Sequence, residues 1–237
     1  MDLKGLELTW LGHAAVRLRT ADGTTIYVDP WLTGNPSCPA QEQHPGRADA
    51  VYLTHGHGDH FGDTLDLALR LGAEVFCMNE IAGHLNRRGA SQVVGLNKGG
   101  TVTGPGGVRA TMVDAVHSGS IDDDGRIGYG GEPAGWVLTF PGGPVLYHAG
   151  DTMIFGDMAL IRELWAPEVA FLPIGGHYTM DPPQAARAAR LLGVAAVVPI
   201  HYGTFPVLAG TPAQLADALA GSGIEVAALV AGVPVGG

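Results

Sequence analysis

Apolar residues fall in short runs divided by turn residues, a pattern that predicts a strand-rich chain with interspersed helices. Residues 6–10, 14–19 and 24–29 read as strands, with Gly12 and the hairpin turn Asp22-Gly23 between them. Residues 50–54 form a short apolar strand that runs into a polar, histidine-packed loop. A helix over 64–71 and a strand over 74–78 follow. Residues 95–107 and 121–131 are expected to be loops, on either side of a strand at 108–116. Residues 136–140 and 145–148 pair as a hairpin over Pro141-Gly142-Gly143-Pro144, then come a helix at 157–165 and a strand at 169–172. Two later helices carry start signals. Asp181 caps a helix running to Leu192, and Thr211-Pro212-Ala213-Gln214 matches a capping box with proline at the first helical position. Strands at 195–199 and 226–230 end the pattern. Strands then helix, twice over, with hairpins in each half, is not the order of a purely parallel doubly wound sheet. Two mixed sheets packed together with helices outside fit it better.

The chain has 237 residues and is treated as one domain, 1–237. At 46% hydrophobic and 15% charged it is too apolar for disorder. Its 37 glycines, about twice the usual ~7%, imply tight turns and close backbone approaches. A formal charge of −10 excludes a general nucleic-acid surface, since Arg87, Arg88 and Lys98 are the nearest thing to a basic patch. Cys38 and Cys77 form no CxxC and are expected to be reduced structural thiols. The stretch 191–216 lacks Asp, Glu, Lys and Arg, but Pro199, His201, Pro206 and Pro212 interrupt it, so a membrane span is not expected. With no secretory signal visible, the expected location is the cytoplasm.

Ten histidines are present, and most follow an apolar strand or sit in a glycine-rich loop. The densest group is Thr54-His55-Gly56-His57-Gly58-Asp59-His60. A tight loop after a strand can turn His55 and His57 toward one metal ion and Asp59 and His60 toward a second. Four ligand-type side chains in six residues have no packing logic in a helix or strand.

This HxHxDH run after a short strand resembles the signature of the metallo-β-lactamase superfamily, and the rest of the chain extends the match. Asp29 in Ile26-Tyr27-Val28-Asp29-Pro30 resembles the first motif, an aspartate that props the metal loop. His117, Asp151 and His201, in Val116-His117-Ser118, Gly150-Asp151-Thr152 and Ile200-His201-Tyr202, resemble the third, fourth and fifth. Trp10-Leu11-Gly12-His13-Ala14, Pro30-Trp31-Leu32-Thr33-Gly34 and Gly175-Gly176-His177-Tyr178 are similar to one branch, the metal-dependent hydrolases similar to ascorbate 6-phosphate lactonase. The resemblance implies an α/β fold (α+β in some schemes), a four-layer αββα sandwich. It also implies one metal held by His55, His57 and His117, a second by Asp59, His60 and His201, and Asp151 bridging both. Two divalent cations are then the expected cofactors, with zinc first and manganese, iron or nickel as alternatives.

Other residues are weaker candidates. Asp29 is expected to support the metal ligands from behind, and His13 and His148 either do the same or are structural, His13 as a buried histidine and His148 at a strand end. The candidate catalytic residues are Asp59 and His177, the latter as a substrate-facing or proton-donating imidazole after the strand at 169–172. Tyr202 either reaches substrate or packs against the loop. His44 and His84 are expected at the surface. Asp122-Asp123-Asp124 lacks the spacing of a calcium loop, and Gly104-Pro105-Gly106-Gly107 lacks the Gly-Lys-Ser/Thr of a phosphate loop.

The expected function is metal-dependent hydrolysis of a small ester-like substrate, a lactone, phosphodiester or amide, by a metal-bound hydroxide. Three rivals share parts of the ligand set: a nuclease, a mononuclear-iron redox enzyme and a non-enzymatic metal-binding protein. The expected partner is a small molecule, anionic in one variant of the reading, with no nucleic acid or membrane and with a homo-oligomer as a further option.

Overall fold

The computed structural model describes residues 1–237. The chain opens with β1 (Glu7–Trp10), β2 (Val16–Arg19), β3 (Thr25–Val28) and β4 (Ala50–Tyr52), then α1 (Gly58–Phe61), α2 (Thr64–Leu71), β5 (Glu74–Met78), α3 (Asn79–Arg87) and β6 (Val93–Leu96). The second half brings β7 (Thr101–Thr103), β8 (Arg109–Asp114), β9 (Ser120–Asp123), β10 (Arg126–Tyr129), β11 (Ala134–Thr139) and β12 (Val145–His148). It ends with α4 (Met158–Trp165), β13 (Val169–Pro173), α5 (Pro182–Leu192), β14 (Ala196–Ile200), α6 (Pro212–Leu219), β15 (Glu225–Val226) and β16 (Val235–Gly236).

Two seven-stranded sheets result, ordered β16-β1-β2-β3-β4-β5-β6 and β15-β14-β13-β12-β11-β8-β7. Each half of the chain first lays down antiparallel strands and then parallel ones joined by helical crossovers. The expected pair of mixed sheets with helices outside is what the chain forms. The pattern of side chains explains the layering, because successive residues of a strand face opposite ways. In β13, Val169 and Phe171 join the core between the sheets, while Ala170 and Leu172 join the core under the helices. β14 repeats the rule, with Ala196, Val198 and Ile200 inward and Val197 outward. On that outer face the alanines 185, 186, 188 and 189 of α5 let the helix sit close to the sheet, beside Ile161 of α4 and Leu215 of α6. Asp181 caps α5, and the capping box of Thr211 and Gln214 opens α6, as their residue types require.

Some elements differ from the sequence expectation. Residues 121–131 are largely a hairpin, β9 against β10, and not a loop. Both strands are mostly exposed, so no buried face imposed alternation, but the Asp124-Gly125 turn with both φ positive was a usable hairpin signal. The stretch 95–107 contributes the end of β6 and the whole of β7. Helix α3 carries Gly83 and several polar residues that hide its apolar positions Ile81, Ala82 and Leu85. The last parallel strand is cut to Glu225–Val226. His84, expected at the surface, is buried beneath Phe61 with Asp123 3.8 Å away.

Strands β1, β3, β4, β8, β12, β13 and β14 all point their C-terminal ends to the same edge of the sandwich. Hydrogen bonds tie the sheets together near that edge, from Trp136 Nε1 to the Leu53 carbonyl at 3.0 Å and from Ala134 N to the Thr54 carbonyl at 3.0 Å. No helix is long and apolar enough to cross a membrane.

Candidate metal centre

Every histidine and aspartate of the motifs sits just past one of those strand ends, on backbone already leaving the ladder. Asp29 follows β3 in the left-handed region, with φ of 46°, and its carboxylate is fully buried. One oxygen accepts from Thr54 N at 2.8 Å; the other accepts from Thr54 Oγ1 and from His60 Nδ1, each at 2.7 Å. These contacts settle the proton positions next door. The Thr54 hydroxyl has spent its hydrogen on Asp29, so at 3.0 Å it accepts one from His55 Nδ1. Both His55 and His60 therefore hold a proton on Nδ1 when neutral, and both present a bare Nε2.

Those bare nitrogens converge. His55 Nε2 lies 3.0 Å from His57 Nδ1, and His60 Nε2 lies 3.3 Å from Asp151 Oδ1. His60 Nε2 and Asp151 Oδ1 are buried without a hydrogen-bond partner. Asp151 Oδ2 lies 3.1 Å from His201 Nε2 and 3.6 Å from His117 Nε2. Three groups of ligand atoms gather within 4.8 Å: His55, His57 and His117; His13, Asp59, His60 and His201; and His55, His60 and Asp151. All seven candidate ligands are thus brought together, from loops up to 146 residues apart (201 − 55). Glycine makes one of the approaches. Gly150, at φ of 59°, lies so near Thr54 that a Cβ there would sit 2.7 Å from the threonine Cβ.

The charges follow the same geometry. Burial pushes the His55, His57 and His117 imidazoles down, toward the neutral form that donates a lone pair. Burial acts the same way on His60, but the carboxylates of Asp151 and Asp29 outweigh it and raise that group well above the usual histidine range. Asp151 is buried too, yet His60 and His201 hold it well below the usual carboxylate range. Metal-free, the centre therefore keeps a proton on His60, which a cation would replace. Imidazoles and carboxylates with unpartnered buried atoms at their meeting point fit a borderline divalent ion. No thiolate takes part. Cys38 and Cys77 are buried elsewhere, and burial pushes both thiols up to about 12.

The supporting residues divide their work in a way the sequence did not specify. His13, also at positive φ, points Nε2 at Asp59 Oδ2, 3.1 Å away, and Nδ1 at Thr204 Oγ1, 3.0 Å away. It braces Asp59, whereas Asp29 braces His60 and, through Thr54, His55. His148 stands back from the ligands, donating from Nε2 to the Ala14 carbonyl and accepting at Nδ1 from Gly150 N. It fastens the Asp151 turn to the first sheet.

Two substrate-facing expectations change. A cleft of about 850 Å³ opens over the centre, and Tyr178 lines it, not His177. Gly176 and His177 are both in the left-handed region, so the turn sends the exposed His177 into an adjoining hollow beside Asp181, Gln214 and Asp217. Tyr202 does not line the cleft either; it stacks on Trp10, with ring centroids 5.5 Å apart and planes 11° apart. Of the other lining residues, Trp31 stood within a quoted motif and Ser118 beside His117, whereas Phe205 carried no sequence signal.

Comparison with known proteins places this arrangement. Residues 24–202 match the family described as Beta-lactamase superfamily domain. The chain belongs to that superfamily. It is 51% identical over 215 residues to the UPF0173 metal-dependent hydrolase of Koribacter versatilis, covering 91% of this chain and 92% of the relative. A protein of the same description from Rubrobacter xylanophilus is 49% identical over 213 residues, covering 90% and 88%. Among solved structures, Igni18, a metallo hydrolase from the hyperthermophilic archaeon Ignicoccus hospitalis, superposes with a TM-score of 0.84 at 38% identity, covering 97% of each chain.

Proposed function

We propose that this metal-dependent hydrolase cleaves a small ester-like substrate, a lactone, phosphodiester or amide, at a pair of divalent ions. Its hydrolase class follows from the superfamily and from relatives that share about half its residues. The observation that carries the finer reading is the pair of Nε2 nitrogens on His55 and His60, each fixed by an Nδ1–H hydrogen bond behind it and gathered with Asp151 within 4.8 Å, both bare once a cation replaces the His60 proton.

In this reading His55, His57 and His117 hold one ion and Asp59, His60 and His201 the other. Asp151 reaches both groups, with one oxygen toward His60 and the second toward His201 and His117. Such ions, when bound, would supply hydroxide near neutral pH and polarise the bond under attack. The chain's own residues do the rest. Asp29, Thr54 and His13 keep the ligand atoms aimed. Asp59 is the proposed proton carrier to the leaving group, because its side chain, 27% exposed, lines the cleft and still touches the centre. Tyr178 offers a hydroxyl at the cleft rim. Zinc suits the donor set first, with manganese, iron and nickel as alternatives.

Metal analysis of purified protein tests this, followed by a screen of lactones, phosphodiesters and amides with the metal restored. Two equivalents of metal and turnover of at least one class are expected. Asp151→Ala should lose at least one equivalent together with turnover, and full two-metal occupancy in that variant contradicts the assignment.

A further inference from the structure

One wall of the cleft is apolar and built from aromatic rings. Trp31 stacks on Phe205 with centroids 5.8 Å apart and planes 22° apart, and both rings stand edge-on to His13, at 5.2 Å and 5.5 Å. Pro206, Val207 and Tyr178 continue the wall, and Val207 and Tyr178 are 46% and 57% exposed. Apolar area left open beside a reactive centre is costly unless something apolar covers it in use.

The wall is held in place from behind. Leu32 N and Thr33 N both donate to Asp63 Oδ2 at 2.8 Å, and Asn35 Nδ2 donates to the Trp31 carbonyl at 3.0 Å. Behind Phe205, Leu208 N bonds the Phe205 carbonyl at 2.9 Å, and Thr204 is tied to His13. Both rings are thus set before any substrate arrives, which lowers the ordering cost of binding.

The charge on the cleft is equally telling. Among its twelve lining residues there is no lysine and no arginine, and its two carboxylates, Asp59 and Asp151, belong to the proposed metal centre. An anionic group away from the scissile bond would meet no counter-charge.

We propose that the Trp31–Phe205 pair is the substrate-recognition wall, and that the substrate is an uncharged carboxylic ester or lactone with an apolar, planar group beside the scissile bond. This inference rests on the hydrolytic reading above and narrows its substrate class. Water adds across the acyl C–O bond, so the carbonyl carbon gains the hydroxyl oxygen, the alcohol oxygen leaves with a proton, and the resulting acid releases one proton to solvent.

Two measurements test it. The first uses metal-free protein and N-phenyl-1-naphthylamine, an uncharged apolar reporter that brightens on binding. Trp31→Ala and Phe205→Ala should each weaken its binding about tenfold, and Trp31→Phe should restore most of the loss. The second uses metal-loaded protein and three acetates: benzyl, ethyl, and benzyl with a phosphate on its ring. Wild-type kcat/KM should be highest for benzyl acetate, and about tenfold lower for each of the other two. Val207→Lys puts a cation on the wall and should narrow the gap between the phosphorylated and plain benzyl esters. Reporter binding indifferent to Trp31 and Phe205 overturns the wall, and preference for the phosphorylated ester overturns the uncharged class. Trp31-dependent reporter binding with no acetate turned over by metal-loaded protein overturns the ester class proposed here while the apolar wall stands, and failure of the lactone, phosphodiester and amide screen as well overturns the hydrolytic reading itself.

Discussion

Asp29→Asn changes one buried atom and should disable a proposed metal ligand, His60, 2.7 Å away. The Asp29 carboxylate accepts three hydrogen bonds, from Thr54 N, Thr54 Oγ1 and His60 Nδ1. An asparagine keeps one accepting oxygen, and Thr54 N needs it, because a backbone amide has no alternative state. The new NH₂ then faces His60 Nδ1–H, donor against donor. His60 escapes by giving up its Nδ1 proton and keeping the one on Nε2, the nitrogen that must be bare to bind metal. The same NH₂ competes with His55 Nδ1–H for the Thr54 hydroxyl oxygen. Losing charge-assisted bonds at a fully buried site should cost about 1–3 kcal/mol in the metal-free protein. Misdirecting the ligands should weaken metal binding by about 10–100-fold. Urea unfolding of the metal-free protein measures the first quantity, and calorimetric titration with zinc or manganese the second. Wild-type metal affinity in a folded Asp29→Asn protein would refute the argument that Asp29 sets the His60 tautomer.

Three further outcomes are expected. His177→Ala should keep its metal and stay within about twofold of wild-type kcat/KM, because the side chain lies in the adjoining hollow; a tenfold loss in steady-state assays would return it to the site. Metal-free protein should lose stability as pH falls below about 6.5. Burial lowers His13 to about 4, outweighing its bond to Asp59, so the unfolded chain binds that proton first and about 3 kcal/mol is lost between the two values. His148 is lowered by burial too and adds in the same direction, while the raised His60 opposes, stabilising at low pH and losing its contribution only well above 6.5. A flat pH dependence of urea midpoints from 7 to 4 would contradict this balance. Thr211→Ala should cost about 1 kcal/mol in urea unfolding with no change in metal content, since it removes only the capping box of α6.

How much of this was legible in the chain depends on how local each signal is. The HxHxDH run showed itself because spacing within six residues is a local property, and so did the caps at Asp181 and Thr211, whose partners lie three residues away. A continuous apolar run disclosed β13 and β14, since both their faces are covered. The exposed ribbon of β9 and β10 gave no such contrast and was missed, and α3 was masked by its glycine and polar residues.

The sequence by itself determined the strand-then-helix order, the ligand types and the absence of a basic surface. Tertiary structure alone decided which partner each side chain serves: His13 supports Asp59 and not Asp29, Tyr178 and not His177 faces the cleft, and Trp31 meets Phe205 across 174 residues (205 − 31). The physical reason is that a strand fixes only which face a residue presents. Once the backbone leaves the ladder, direction is set by left-handed turns such as those at Asp29, His177 and His201, and by contacts made only when the two sheets close on each other.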